Sequence, residues 1–459
     1  MPGGPSAPSS TCIRSGDLYS GNRMALFREI ARPPANAGFE SHLDWAARRD
    51  PIGHRIHLAL ALFALALIPL SSTAASIGST PLFVYTLLRA PTIHRCWSGL
   101  LRNPCFLCLF TLYAWLALTL SWSPDPDQGL RLLRGSRYLL IVPALLPLMR
   151  HTGLLVAAIC SGVLVQNIAQ FSKWMIIQDY FGGGLEHHPG FAGLWFILAI
   201  GILLTYPSPG KTPRITQRVS AILPAMGITL TGARSILLGA GTSLMLFLGV
   251  ALVFRRSGWK ITAAACILIL GLLCAPLIMP HTPMAQRVAG AVEGFQSNSQ
   301  MDDLNAPGRE QVRYVWWEIG MTHWRDAWLM GDGLGSAERS INESPRVLEA
   351  TRGGTENTYL LRDDYHSLFV TVAAESGAIG LMLVTAWLVL LGAQIRRAGT
   401  LSMALYMGFI GYLIFSVFNT TIFSGRVACL PLVIMALSTH VLPRPKSVAD
   451  TIKYKEHFS

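Results

Sequence analysis

The feature that most constrains this chain is a series of long apolar runs that recurs along most of its length. A helix that crosses a bilayer needs about 20 mainly apolar residues, or somewhat fewer when flanking side chains snorkel. Only 14% of the residues are charged and the mean hydropathy is +0.43, whereas a soluble domain carries roughly 25% charged residues. The sequence therefore predicts an all-α polytopic membrane protein with about 12 transmembrane helices. The candidate spans cover residues 56–72, 74–88, 104–120, 138–149, 153–176, 190–206, 219–231, 235–254, 261–279, 367–391, 401–418 and 427–442.

The basic residues favour one orientation of these spans, because Lys and Arg collect in the loops that stay in the cytoplasm. Arg89, Arg255 and Arg256 lie in such turns, whereas the opposite turns are nearly free of Lys and include Asp125 and Asp127. Both termini are then predicted to lie in the cytoplasm of a multi-pass protein of the bacterial inner membrane. The predicted organisation is a mostly disordered cytoplasmic N-terminal tail (1–55), transmembrane helices 1–9 (56–280), one large periplasmic loop (281–366), helices 10–12 (367–442) and a cytoplasmic C-terminal tail (443–459).

The net charge of +12 is explained by this cytoplasmic bias, so we predict no nucleic-acid partner and expect membrane lipids instead. Eight cysteines are present and none lies between His281 and His366, which argues against a disulfide-stapled periplasmic domain. Cys105 and Cys108 form a C-x-x-C where an apolar helix begins, without a second pair or a His cluster. We interpret them as small helix residues and predict no metal site.

The long loop contains four tryptophans interspersed with polar residues, namely Trp316, Trp317, Trp324 and Trp328. Tryptophan at helical spacing near a bilayer is typical of an amphipathic helix that lies at the interface. The sequence therefore predicts amphipathic helical structure in this loop, over residues 309–330.

Several arginines fall on the periplasmic side, where the insertion bias disfavours them. Arg137, Arg234, Arg309 and Arg313 belong to this set, which is almost free of lysine. A guanidinium is planar, permanently charged and binds phosphate through a bidentate fork, so such a cluster suits a lipid-linked pyrophosphate. Pairing with loop carboxylates or with lipid headgroups remains the other explanation.

His366 lies where the loop returns to the membrane, at the start of a helix near the water boundary. An imidazole at this position suits a general base that takes a proton from a sugar hydroxyl, although a boundary histidine can also be merely interfacial. Glu375 follows nine residues later, as an orienting group or part of a polar pocket, and Gly377 and Gly380 permit close helix packing. The adjacent pair 363–364, Asp-Asp, is expected to be solvated or paired with arginine.

The stretch from His366 to Gly380 resembles the signature of the O-antigen ligase superfamily, which includes O-antigen polymerases and protein O-oligosaccharyltransferases. That pattern is His, then Asn, Ser or Gln, nine residues, Gly, two residues, and Gly, Thr or Tyr, and His366, Ser367, Gly377 and Gly380 fit it throughout. The resemblance extends to Leu-Thr-Gly-Ala-Arg-Ser around Arg234, to Arg-Tyr-Val-Trp-Trp from residue 313, and to Leu-Met-Gly-Asp-Gly-Leu-Gly over 329–335.

The resemblance implies a metal-independent inverting glycosyltransferase without a cofactor. Its donor would be an undecaprenyl-pyrophosphate-linked glycan, its acceptor the lipid A-core, and its active site would face the periplasm. It implies catalytic roles for His366 as the base and for Arg234 and Arg313 as pyrophosphate ligands. The residues expected to contact substrate are Arg137, Arg309, Ser367 and Glu375.

The sequence favours an O-antigen ligase of lipopolysaccharide biosynthesis and leaves other functions open. An O-antigen polymerase and a protein O-oligosaccharyltransferase belong to the same superfamily; the latter is disfavoured because only about 17 residues follow the last predicted span. A membrane transporter is the non-enzymatic alternative. It would require paired carboxylates or broken helices at mid-bilayer, and few ionisable residues lie deep in the predicted spans.

Overall fold

A computed structural model of the protein describes residues 39–97, 99–177, 184–185, 188–207, 214–254, 259–278, 309–351, 360–423 and 425–439. Within these ranges the chain forms helices and no β-strand, which confirms the all-α prediction. Most of both predicted tails lies outside the described residues, as do residues 281–308 and 352–359 of the predicted loop.

Each predicted span in the first half of the chain is occupied by helical structure. Apolar runs become helices because backbone N–H and C=O groups in a bilayer must pair within their own segment. The helices are α1 (Phe39–Arg49), α2 (Pro51–Leu67), α3 (Ser72–Leu88), α4 (Ala90–Ile93), α5 (Pro104–Thr119), α6 (Pro126–Leu133), α7 (Ile141–Leu145) and α8 (Thr152–Ile177), with 3-10 segments at His94–Trp97, Leu100–Arg102, Arg134–Leu140 and Leu146–His151.

The second half of the chain is organised in the same way, with three further helices in the predicted loop. The helices are α9 (Pro189–Thr205), α10 (Arg214–Val219), α11 (Ile222–Thr231), α12 (Arg234–Phe254), α13 (Trp259–Ile278), α14 (Arg309–Asp326), α15 (Ser336–Asn342), α16 (Pro345–Thr351), α17 (Leu368–Ile395), α18 (Ser402–Val417) and α19 (Gly425–Ser438), with a 3-10 turn at Gly399–Leu401. Helices α14 to α16 and the start of α17 carry the candidate site.

The core of the bundle is built around α9, which is apolar on all sides and buried over most of its length. It packs against α11, α12 and α18. Gly201 shows how close these contacts are, because a Cβ added there would lie 2.9 Å from the carbonyl oxygen of Ala404. Small residues at such crossings let two helix backbones touch, which favours association inside a bilayer.

The boundary predicted for the N-terminal tail differs from the structure, because residues 39–55 form α1 and the first turn of α2. The two helices meet at an angle of 108°. Asp50 caps α2 by accepting from the N–H of Gly53 at 2.8 Å, and the buried guanidinium of Arg89 donates to Asp50 at 2.9 Å. This polar contact anchors α1 and its buried Trp45 to the bundle.

The fourth predicted span is irregular. Residues 134–151 run as 3-10, α-helical and again 3-10 structure and lead directly into α8. Pro143 and Pro147 lie inside this stretch. Proline lacks the N–H that an α-helical ladder requires, which accounts for the interrupted α-helix.

Four described helical stretches are long and apolar enough to cross a membrane, or up to six if each of two sharply bent pairs is one span. Three shorter apolar helices of 10–17 residues accompany them: Pro189–Thr205, Thr262–Cys274 and Val427–Ser438. The twelve-span count and the periplasmic side of the loop therefore stay predictions.

Candidate functional site

Helix α17 is broken at Gly377, whose φ of 67° and ψ of −166° lie outside the helical range. In a continuous helix the N–H groups of Ala378 and Ile379 would donate to carbonyl oxygens four residues earlier. Here they donate to the carbonyl oxygens of Trp328 and Leu329, at 2.8 and 3.4 Å. The loop that follows α14 therefore supplies the acceptors that the break removes from the helix.

The same loop also satisfies the carbonyl groups on the other side of the break. The carbonyl oxygens of Ala374 and Glu375 accept from the N–H groups of Asp332 and Gly333, each at 2.9 Å. These are the two carbonyls that the freed N–H groups would have bonded in a continuous helix. Because unpaired backbone groups away from water are costly, the loop over 329–335 and the broken helix form one folded unit.

Glycine is required at these contacts because a side chain would collide with the opposing backbone. Gly331 has a φ of 71°, and a Cβ added there would lie 2.4 Å from the backbone nitrogen of Ser376. A Cβ added at Gly377 would lie 2.2 Å from the carbonyl oxygen of Leu329. The glycines of the two sequence motifs are therefore explained by one close approach of two backbone segments.

Glu375 is buried at this junction, with 1% of its surface exposed. Its Oε1 accepts from the N–H groups of Gly335 and Ala337, at 3.2 and 3.3 Å, where α15 begins. A carboxylate at this position satisfies N–H groups that have no partner within the helix. Glu375 thus holds α15 against the broken helix, and its role as a substrate ligand stays a prediction.

The segment that follows α5 supports the loop from another side. The indole N–H of Trp122 donates to the carbonyl oxygen of Gly331 at 3.1 Å. The hydroxyl of Ser123 donates to the carbonyl oxygen of Leu334 at 2.7 Å. These contacts fix the loop on elements that are distant in sequence, so its position does not depend on α14 and α17 alone.

His366 stands just before this junction in an unusual backbone conformation, with a φ of 50°, and among the described residues it is the single non-glycine residue with positive φ. Its Nδ1 lies 2.5 Å from Oδ1 of Asp364, and its backbone N–H donates to the same oxygen at 2.8 Å. The Trp316 ring meets the imidazole edge-on, with centroids 4.9 Å apart. The His366 side chain remains 31% exposed, so Nε2 is the ring nitrogen available to a substrate.

Asp364 is held in its charged form. Burial alone would raise the pKa of this carboxyl, but the hydrogen bonds and the charge offered by His366 bring the pKa below its ordinary value. Thr420 adds a side-chain hydrogen bond. The sequence predicted a solvated or arginine-paired carboxylate here, and the structure shows instead a partner of the candidate base. The signal that pointed to it was a carboxylate two residues before that histidine.

The predicted amphipathic helix over residues 309–330 forms α14. Its tryptophans were predicted to lie at the membrane interface, but they differ in burial. Trp316 is buried against Tyr365 and Val312, whereas Trp328 is 60% exposed. The reason is that α14 packs against α17 and so turns one aromatic face inward. Trp316 therefore forms part of the wall beside the candidate base.

Two arginines are near Trp316, the residue whose ring contacts His366. The half-buried Arg313 precedes Trp316 by three residues, which places both on neighbouring positions of one helix face. The guanidinium carbon of Arg362 lies 5.6 Å from the centre of the Trp316 ring, the ring that contacts His366. Arg362 is one of the arginines predicted on the periplasmic side, but it was not among the predicted substrate ligands. Arg309 begins α14, and its side chain lies outside the described residues.

Arg234 is the half-buried first residue of α12. The residue before it and Phe415 of α18 both lie within 4 Å of a Cβ position on Gly190. Phe415 belongs to the last turn of α18, the end that leads to Thr420 beside Asp364. These contacts support a position of Arg234 at the same end of the bundle as the histidine–aspartate pair.

The other two predicted substrate ligands have contacts of their own. Arg137 donates to the hydroxyl of Ser76 at 3.1 Å, and its guanidinium carbon lies 5.1 Å from the ring centre of Tyr138. Ser367 is buried at the start of α17, where its carbonyl oxygen accepts from the N–H of Thr371 at 2.9 Å. Substrate contact by Arg137 and Ser367 stays a prediction.

The described part of the chain contains no group of three or more His, Cys, Asp or Glu side chains arranged to hold a metal ion. Apolar helices, an accessible histidine–aspartate pair and nearby guanidinium groups instead define a membrane protein with a site suited to proton transfer on an anionic substrate.

Residues 219–385 match the family model described as O-antigen ligase. The match covers a little over a third of the 459 residues and includes Arg234, Arg313, His366 and Gly377. It confirms the resemblance to the O-antigen ligase superfamily. Members of this family are glycosyltransferase-like enzymes, and the family implies lipid-linked glycan substrates in general. No curated protein matches the chain.

Proposed function

We propose that the protein is an O-antigen ligase of lipopolysaccharide biosynthesis. It transfers a glycan from undecaprenyl pyrophosphate to the lipid A-core at the periplasmic face of the inner membrane. The observation that carries this proposal is the contact of 2.5 Å between His366 and Asp364, next to the broken helix within the matched family region. A base that is oriented by a carboxylate and open on its other nitrogen is the arrangement that hydroxyl activation requires.

The proposed reaction follows from this geometry. Nε2 of His366 takes the proton from an acceptor hydroxyl as that oxygen forms a bond to the anomeric carbon of the donor sugar. The bond from that carbon to the pyrophosphate oxygen breaks, and undecaprenyl pyrophosphate leaves with the electron pair. Attack from the face opposite the leaving group inverts the anomeric configuration. Asp364 holds the ring in place and stabilises the imidazolium that forms.

The leaving group gives the arginines their role. Charge builds up on the pyrophosphate as the bond breaks, and fixed cations stabilise that charge most where water is partly excluded. Arg313 and Arg234 are half-buried, and in this proposal both of them bind the leaving pyrophosphate. Arg362 joins them as a further candidate because its guanidinium lies over Trp316. No metal ion is needed for this step.

The test is a transfer assay with purified protein in detergent, given a lipid-pyrophosphate-linked glycan and one acceptor class at a time. The acceptors are the lipid A-core, a second donor molecule as for a polymerase, and a Ser- or Thr-containing acceptor protein. We expect transfer to the lipid A-core alone. Transfer to the second donor or to the protein would reassign the chain within the superfamily.

His366→Ala is expected to lower this transfer at least a hundredfold, because general base catalysis contributes about 10²–10⁴-fold. The matched control is His94→Ala, since His94 is exposed and bonds the carbonyls of its own turn at 3.0 and 3.3 Å. Both variants are first compared with wild type by size-exclusion profile and Tm. Wild-type transfer by a correctly folded His366→Ala protein would refute the proposal.

A further inference from the structure

A cavity of about 820 Å³ opens beside residues 318–323 of α14. This volume lies in the upper part of the range of roughly 300–1,000 Å³ that small-molecule sites occupy. Trp122, Pro124 and Ile319 give the cavity an apolar wall, and Thr322 and Ser340 contribute hydroxyls. None of these residues belongs to the set assigned above to catalysis.

The charged side chains of this cavity are paired with one another. Nδ1 of His323 lies 2.6 Å from Oδ2 of Asp332, and Nε of Arg339 lies 3.0 Å from Oε1 of Glu343. The remaining pair is the contact of 2.5 Å between Arg346 and Glu318. Three carboxylates and two guanidiniums leave one negative charge, which His323 cancels when it is protonated. The cavity is therefore nearly neutral, unlike the arginine cluster near His366.

This lining specifies the chemistry of a ligand. A nearly neutral wall rich in both donors and acceptors gives no net attraction to a free phosphate. It matches a molecule that carries many hydroxyl groups, each able to donate and to accept. The aromatic and apolar wall of Trp122 and Ile319 suits the C–H face of a pyranose ring. An oligosaccharide combines these two properties.

The cavity is also placed for such a ligand. Ile319, which lines it, follows Trp316 by three residues, and three residues of α-helix advance about 4.5 Å along the axis. Trp316 is the residue whose ring contacts His366. A glycan held in the cavity can therefore extend along α14 towards the candidate base.

We propose that this cavity binds a stretch of neutral oligosaccharide, supplied by the glycan of either the donor or the acceptor. That this glycan belongs to the donor or the acceptor of the transfer reaction rests on the proposed function. The binding itself follows from the lining of the cavity and is measured without any transfer reaction.

The experiment measures binding to the full-length protein in detergent by isothermal titration. One probe is a deacylated core oligosaccharide prepared from rough lipopolysaccharide, and the other is a lipid-free O-chain oligosaccharide released by mild acid. Thr322→Trp adds bulk at the exposed helix position that lines the cavity. The matched control, Leu348→Trp, adds an indole at a position that is 40% exposed and does not line the cavity.

We expect wild type and Leu348→Trp to bind one probe alike, and Thr322→Trp to bind it at least tenfold more weakly. The probe that binds identifies the source of the glycan. Equal affinity in wild type and Thr322→Trp, or no binding of either probe to wild type, would overturn the proposal. Tm values of the three proteins verify that each is folded.

The two proposals fail in distinguishable ways. If Thr322→Trp binds and transfers like wild type, the cavity has no role and the ligase assignment stands. If wild type binds a probe through the cavity but transfers glycan to no acceptor, the cavity is correct and the ligase assignment is wrong. His366→Ala is expected to bind the probe with wild-type affinity, because His366 does not line the cavity.

Discussion

Two histidine–aspartate pairs lie at or near α14. Their contact distances are similar, but the backbone conformations of the two histidines differ. His366 and Asp364 are 2.5 Å apart, and His323 and Asp332 are 2.6 Å apart, with similar exposure of both histidines. His323 belongs to a regular helix, whereas His366 adopts a φ of 50°. A strained backbone persists where the surrounding structure enforces it, which is typical of functional sites.

The comparison shows that one contact serves two purposes. Asp332 is also bonded through its N–H to the broken helix, so its pair with His323 fastens α14 to the junction of loop and helix. Asp364 contacts His366 within one turn of chain and leaves the other ring nitrogen open. We therefore assign structural support to the first pair and proton transfer to the second.

The most direct test of this comparison removes the charge of Asp364 or of Asp332. Asp364→Asn is expected to lower kcat about a hundredfold, because the imidazolium loses its stabilising charge. Asp332→Asn is expected to lower Tm and to affect kcat much less. The transfer assay and a thermal melt of both variants test this contrast. Equal loss of kcat in the two proteins would erase the distinction between the pairs.

A glycine substitution tests whether the loop over residues 329–335 packs on the broken helix. Gly331→Ala is expected to destabilise the fold by about 1–3 kcal/mol, since φ is 71° and the new Cβ would meet a backbone nitrogen at 2.4 Å. Gly241→Ala is the control, because nothing lies within 4 Å of its Cβ position in α12. Equal Tm values for the two variants would show that the loop does not pack on the broken helix.

The smallest expected effect is the pH dependence of stability that comes from the His323–Asp332 pair. The hydrogen bond with Asp332 raises the pKa of His323 above its ordinary value, although burial opposes it. Its stabilisation is therefore fully present below about pH 6.5 and is lost as pH rises through the raised pKa. For a partly solvated pair we expect about 0.5–1 kcal/mol. Tm measured against pH should show this decline in wild type and not in His323→Gln.

The sequence predicted the helices well because apolar length and turn charges are local signals. Each apolar run corresponds to helical structure, and the glycine pattern after His366 coincides with the helix break at Gly377. The irregular stretch near Pro143 and the helix over residues 39–49 were not predicted. In the first case proline altered a helix that apolarity alone suggested, and in the second a contact with Arg89 orders a polar segment.

The parts of the site that sequence reasoning missed depend on contacts between distant segments. The exchange of hydrogen bonds between residues 328–333 and 374–379 leaves no periodic pattern in either segment. The same holds for the burial of Trp316, which looked like an interfacial residue until α17 packed against its helix. The sequence identifies Asp364 as a carboxylate near His366. It does not predict the contact between the two side chains, because His366 adopts a positive φ that no sequence pattern indicates.

The central claim is that His366 meets a lipid-linked glycan on the periplasmic side, and cysteine labelling tests it directly. Asp363→Cys is placed in a chain whose eight native cysteines are replaced, with Thr400→Cys in the turn between α17 and α18 as the control. Both positions are exposed. A membrane-impermeant maleimide that reaches the periplasm of intact cells should label residue 363 and leave residue 400 unlabelled until lysis. Labelling of residue 363 only after lysis would place His366 in the cytoplasm and contradict the account.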